Sequence, residues 1–276
     1  MVILKEMNYI VFRNRGRTAL SVCIAALLVC CMSFYLGSIQ TAESAEENLA
    51  QVIPVTAQVV SRSGARTVGF EIDENHFANL MKADIKDAVY TASACANFQE
   101  QYRAEDVQGA DTSVTAVSGL SALVGVTEES IAFENGYDLS FLENAEPLCV
   151  VSQSYAAQYG LNSGDTLSMP FYVTRYNDDG FSLRYEHLGM QGVKIIGVYA
   201  DSASGSAVPC SMIVSVPWLQ TVVKENNLRF YYSSFRCALR DPMKLNDFKD
   251  AMRGAGFAKP DPNALDERHG DTLVVD

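Results

Sequence analysis

The sequence predicts an α+β protein in which a mixed-sheet extracytoplasmic domain follows one N-terminal transmembrane helix. Three observations predict it. No charged residue occurs from Thr18 to Ala42. Short β-rich runs alternate with short amphipathic helices over the remaining two hundred or so residues, as in α+β domains. Apolar content of 48% with 20% charged residues reads as a globular chain with a real core.

The uncharged run comes first. Its centre, Thr18–Ile39, would span about 33 Å as a helix, close to a hydrocarbon core of roughly 30 Å. Nine of its residues are Leu, Ile, Val or Phe. Together they favour insertion by roughly 3–5 kcal/mol. Thr18, Ser21, Ser33 and Ser38 can return their hydroxyls to backbone carbonyls and so do not forbid it. A buried soluble helix fits such a run poorly. A cleaved signal peptide is the closer rival, with Ala42 and Ser44 near a possible cleavage point, but its apolar region is only about 7–15 residues long.

The flanks set orientation. Residues 1–17 sum to +3, with Arg13, Arg15 and Arg17 nearest the run, and Glu43, Glu46 and Glu47 follow it. Basic residues stay on the cytoplasmic side, so Arg13, Arg15 and Arg17 set the topology. The expected organisation is a cytoplasmic lead at 1–17, a membrane helix at 18–40 and an outer domain at 41–276. The lead has apolar residues at helical spacing (Ile3, Met7, Ile10, Val11). It reads equally as an interfacial helix or a frayed tail.

The rest of the chain carries −15 of the net −12. That excludes general nucleic-acid binding, which needs clustered Lys and Arg. Residues 41–51 are polar and helix-favouring and extend the membrane helix as a stalk. Val52–Val60 and Arg66–Ile72 read as strands. Phe77, Leu80, Met81, Ile85 and Ala88 share one helical face, capped by Asp73. Tyr90–Tyr102 and Ser113–Val126 read as strands, as does Leu148–Ser152. Ser154–Tyr159 is a helix stopped by Gly160. Leu161–Asp165 is a turn with Gly164 at its special-angle position. Thr166–Arg175 and Phe181–Tyr185 flank a turn at Asn177–Gly180. Val193–Tyr199 and Met212–Val216 are β-branched strands, and Pro217 opens a helix to about Glu225. Arg229–Leu239 is a strand, Leu245, Phe248 and Met252 mark a helix ended by Gly254 and Gly256, and Leu273–Val275 is apolar.

Chemistry is sparse. The three histidines, His76, His187 and His269, have no His or Cys at ligand spacing. The chain has no HExxH helix, no GxSxG elbow and no Lys followed by Ser or Thr. A P-loop reading is thereby excluded, and an outer-surface hydrolase is disfavoured by the absent catalytic constellation. Asp178-Asp179-Gly180 reads as a solvated hairpin. Cys23, Cys30 and Cys31 fall in the apolar run. Cys95, Cys149, Cys210 and Cys237 are spaced too widely for a metal knuckle and read either as disulfide partners or as buried thiols. No catalytic residue, cofactor or metal is assigned.

Two stretches carry a resemblance. They are PLCVVSQSYAAQYGLNSGDTLSM (Pro147–Met169), and VKIIGVYAD (Val193–Asp201) followed by VPCSMIVSVPWLQ (Val208–Gln220). Strand, short helix, Gly-Asp turn and strand, then a "VvGVy" strand, then a strand and a proline-started helix, resembles the extracytoplasmic core domain of MacB-like ABC transporter permease chains with an FtsX-like membrane part. Arg13–Leu28 is similar to that family's first membrane segment. The resemblance covers about Ile10–Leu219. It implies a cell-membrane permease component that couples motion driven by a cytoplasmic ABC ATPase subunit to an outer domain, for export or signalling, with lipid and a second permease copy or half as partners. It gives Gly164, Asp165 and Gly197 structural roles: a tight turn, and close approach across the sheet. Family members carry three further membrane helices, which this sequence lacks. The alternative is a signal-anchored binding or adhesion domain with no transport role.

Overall fold

The computed structural model describes residues 15–52, 55–98, 110–177, 183–201, 210–259, 261, 263 and 272–275. The chain forms two compact units, Met1–Pro54 and Val55–Asp276.

In the first unit, helix α1 (Arg15–Val52) continues without a break from the apolar run into the polar residues after it. Within it, Ala19–Ala42 is long and apolar enough to cross a membrane, and none of it is buried in protein. Arg15 and Arg17 lie in its first turn. Arg13 and the amphipathic lead lie outside the described residues.

The second unit is built on one ten-stranded mixed sheet, in the order β12-β1-β11-β3-β4-β9-β6-β8-β5, with β7 bridging β3 and β8. The strands are β1 (Thr56–Val60), β2 (Ile72–Asp73), β3 (Ile85–Ala96), β4 (Thr112–Val117), β5 (Ile131–Phe133), β6 (Leu148–Ser152), β7 (Thr166–Tyr176), β8 (Leu183–Tyr199), β9 (Met212–Ser215), β10 (Tyr231–Tyr232), β11 (Ser234–Leu239) and β12 (Thr272–Val275). Because β7 reaches both β3 and β8, the ladder β3-β4-β9-β6-β8-β7 returns to its start and curls the sheet. β2 and β10 form a separate two-stranded ribbon.

The central strands β6 and β9 are apolar along their whole length, which suits strands buried on both faces. Alternate residues feed two cores. On one face, Val151, Ile195, Met212 and Phe171 pack under α2 (Glu74–Lys82), α3 (Gln153–Tyr159), α4 (Val216–Glu225) and α5 (Leu245–Gly254). On the other, Val150, Ile196 and Ile213 pack under the irregular segment that contains Val126, Phe141 and Leu142.

Each helix starts for a local reason. Ser152 and Ser215 cap α3 and α4, each hydroxyl accepting an N–H three residues on at 3.2 Å. Asp73 caps α2, accepting from the His76 N–H at 2.8 Å. Gly160 ends α3 at φ 66°, ψ 35°, and the Leu161 N–H reaches back to the Ala156 carbonyl.

The structure differs from the sequence expectations at five places. Helix α2 stops at Lys82, and Ile85 and Ala88 belong to β3. A bulge with Asp87 at φ 52° breaks the strand alternation there and mimics helical spacing. Most of Arg66–Ile72 is turn, with Gly69 at φ 77°, and only Ile72 is in a strand. β4 ends at Val117, and Leu120–Ala122 forms a short 3₁₀ turn. Arg229–Leu239 divides into β10 and β11. Leu183–Tyr199 is a single strand where two were expected. Of the hairpin turn expected at Asn177–Gly180, residues 178–180 lie outside the described residues.

The α2 cap yields a prediction with a pH signature. Burial raises the Asp73 pKa, but hydrogen bonds from the His76 backbone and side chain outweigh it, so the net shift is downward. A carboxylate depressed in the folded state stabilises above its unfolded pKa of about 3.9 and loses that effect as pH falls below it. Asp73→Ala should cost about 1 kcal/mol at neutral pH, read as a drop of about 2–4 °C in melting temperature. Asp73→Asn should recover most of it, and the gap between wild type and Asp73→Ala should narrow in acid.

Candidate functional site

The two stretches that carry the family resemblance meet at one place in the sheet. After α3 the chain turns through Asn162–Asp165. The Asp165 carboxylate accepts the Asn162 N–H at 2.8 Å, and the Asp165 N–H reaches the Asn162 carbonyl at 3.2 Å. Gly164 sits at φ 97°, a conformation that favours glycine. The turn then docks on β8: the Gly164 N–H donates to the Ile195 carbonyl, and the Ile195 N–H donates to the Asp165 carbonyl, both at 2.8 Å.

A charged cluster backs this turn. Glu134, just after β5, lies 2.9 Å from the Lys194 ammonium, whose nitrogen sits 4.8 Å from the centre of the Tyr137 ring. A Cβ at Gly164 would lie 3.3 Å from the Glu134 carboxylate. The hydrogen bond to Glu134, then that to Tyr137, raises the Lys194 pKa. Glu134 and Lys194 were not singled out in the sequence, because an isolated Glu and Lys sixty residues apart give no local signal.

Gly197 lies two residues further along β8, between β6 and β5. A Cβ there would meet the Ala132 carbonyl at 3.1 Å, with Ile131 and Phe133 side-chain atoms at 3.2 Å. Next on the strand, the buried Tyr199 hydroxyl donates to the Cys210 carbonyl. Asp201, after the strand ends, accepts the Ser154 N–H at 2.9 Å and ties β8 to the start of α3.

These groups position backbone and do not assemble a reaction centre. Among the described residues, no three His, Cys, Asp or Glu side chains converge to hold a metal. His76 sits 2.9 Å from the Asp73 carboxylate and edge-on to Phe257. His187 sits edge-on to Tyr172. His269 lies outside the described residues. None of the seven cysteines is in a disulfide. Burial pushes the thiol pKa up to about 11 at Cys95 and about 12 at Cys237 and raises it at Cys149 and Cys210, the opposite of an activated nucleophile. A polar cleft of about 470 Å³ opens between the start of α2, the end of α4 and β10, lined by Glu74, Lys224, Arg229 and Tyr231 among others.

The molecule is therefore an α+β mixed-sheet domain that follows one long apolar helix. No family model matches the chain, and no curated protein matches it. Among solved structures it is similar to a domain of a candidate permease protein from Porphyromonas gingivalis, at 15% identity and a TM-score of 0.36, over 80% of this chain and 86% of that one. It is also similar to the periplasmic region of MacB from Actinobacillus actinomycetemcomitans, at 9% identity and a TM-score of 0.40, over 80% of this chain and 87% of that one.

Close packing at Gly197 predicts a measurable cost. Gly197→Ala should destabilise the second unit by about 1–3 kcal/mol, because the Cβ presses on the Ala132 carbonyl and the Ile131 and Phe133 side chains of β5. Gly160→Ala, open to solvent but held at φ 66°, should cost about 1–2 kcal/mol through backbone strain alone. Thermal melts of the full chain in detergent would read both, and an unchanged melting temperature for Gly197→Ala would contradict the packing argument.

Proposed function

We propose that this chain is a permease component of an ABC transporter of the MacB/FtsX type. Its N-terminal helix anchors it in the cell membrane, with Arg13, Arg15 and Arg17 on the cytoplasmic side and the sheet domain outside. A cytoplasmic ATPase subunit binds ATP and closes, membrane helices shift, and the outer domain moves to export a substrate or signal to an outer partner. A second permease copy or half completes the membrane assembly. ATP hydrolysis belongs to the separate subunit.

One observation carries the reading. The Gly-Asp turn of the first resembling stretch hydrogen-bonds directly to Ile195 of the second, so the two stretches form one structural unit. One further feature supports it. α1 presents an apolar span with no protein over it, and lipid is the solvent such a surface needs. β12 runs antiparallel to β1 with Val275 opposite Ala57, so the first and last described strands of the sheet lie side by side.

Topology is tested first. Val124 is 89% exposed, whereas Cys149, Cys210 and Cys237 are buried. Val124→Cys should label with a membrane-impermeant maleimide on intact cells, and the protein should stay in the membrane pellet through alkaline carbonate. Release into the soluble fraction would defeat the anchor.

Partnership is tested next. The full chain, affinity-tagged and extracted in mild detergent from its native cell, should co-purify with an ATPase bearing a P-loop signature. An anchored chain that repeatedly purifies without one would overturn the transport reading in favour of an anchored binding domain.

A further inference from the structure

The outer half of the β7–β8 hairpin stands apart from the rest of the sheet. Along the inner half the ladder is shared: Phe171 and Tyr172 pair with Ala96 and Cys95 of β3, and β8 from Lys194 onward pairs with β6. From Val173 to Tyr176 and from Leu183 to Glu186, the two strands pair only with each other among the described residues. A bulge separates the halves. As β7 advances from Pro170 to Tyr172, its partner runs from Met190 to His187, one residue more. Gly189 lies in that bulge at φ 73°, with open space where a Cβ would sit. Pro170 opposite it has no N–H to give the ladder. A bulge with a glycine and a proline is a place where a strand pair bends.

Little apolar surface holds the outer half down. Of its eight residues only Val173 and Arg175 are buried. Polar contacts attach it to the β2–β10 ribbon and the residues flanking it, and Thr174 adds a side-chain hydrogen bond with Cys95 of β3. Arg175 donates through Nη2 to the Arg229 carbonyl at 2.8 Å, and its guanidinium lies 4.7 Å from the centre of the Tyr231 ring. On its own hairpin it sits 3.4 Å from Glu186. In return, Glu71 beside β2 accepts the Tyr176 N–H at 2.8 Å. Burial lowers the Arg175 pKa, and Glu186 and Glu71 oppose that. An arginine with so little water around it is costly to leave unpaired, so its bonds to the ribbon form or break together.

We propose that the outer half of the β7–β8 hairpin is a hinged arm, fastened to the β2–β10 ribbon by Arg175 and Glu71, which opens as a unit about the Pro170–Gly189 bulge when that fastening breaks. Arg229 and Tyr231 also line the 470 Å³ cleft, so release of the arm frees one wall of it. This device stands whether or not the chain serves a transporter. A guanidinium that only fills the core would, on removal, weaken every strand alike, whereas a fastener frees the arm alone.

Amide hydrogen exchange by mass spectrometry separates the two, on the full chain in detergent micelles. In the wild type, amides of Val173–Tyr176 and Leu183–Glu186 should exchange at least about tenfold faster than those of Val193–Tyr199. Arg175→Met should accelerate the arm by about tenfold or more, with β4, β6 and β9 unchanged. Glu71→Gln should act in the same direction and more weakly. The proposal is overturned if Arg175→Met accelerates all strands together or none. It is equally overturned if arm and inner strands exchange at one rate in the wild type, a comparison that decides the matter even if Arg175→Met fails to fold.

Discussion

The backbone of Ile195 is the point on which the sheet depends. Its side chain is fully buried, and a buried peptide group must have its N–H and C=O satisfied. On one edge β8 is covered by β6. On the other, the last pair with β7 is at Lys194, and the Glu134 N–H takes up the ladder at the Ile196 carbonyl, leading into β5. Between them the ladder would have a gap. The Gly164–Asp165 turn fills it with two hydrogen bonds. Helix α3 before the turn and strand β7 after it take their places from this contact. Glu134 and Lys194 then close over its outer side.

Much of this was legible in the sequence because the signals are short-range. Leu148–Ser152 is unbroken apolar sequence ending in a serine, which is both a buried strand and a helix cap. Gly160 and Gly164 each stand where a left-handed residue is needed. Pro217 announces α4. What was hidden depends on distant partners. β8 reads as two strands because Gly189 and Gly192 interrupt it, yet β7 pairs along it continuously save for one bulge. β5 is three residues long and approaches β8 closely at Gly197, a pairing that no local pattern announces. The extension of α2 toward Ala88 fails because a bulge shifts strand alternation by one residue, which local periodicity cannot distinguish from a helical turn. The positioning roles of Glu134, Lys194 and Arg175 have no counterpart in any local pattern, since each partner lies on another element.

The two units answer to different solvents. In the second, large apolar side chains such as Phe171, Leu188 and Trp218 turn inward, and the helices bury one face each. In α1 the corresponding residues, among them Leu27, Phe34 and Leu36, stand exposed all round. A helix apolar on every side is stable only where its surroundings are apolar too. The second unit hides its hydrocarbon from water, and α1 presents a span long and apolar enough to cross a membrane. The polar end of α1, after Ala42, continues the helix without a break.

The sheet domain has no covalent staple. Cys149, Cys210 and Cys237 sit unpaired within it. Buried thiols of this kind react only when the strands around them open. They thus form a built-in clock: an alkylating reagent reacts with each one only as its own part of the sheet breathes. Cys149 on β6 keeps time for the centre and Cys237 on β11 for the flank.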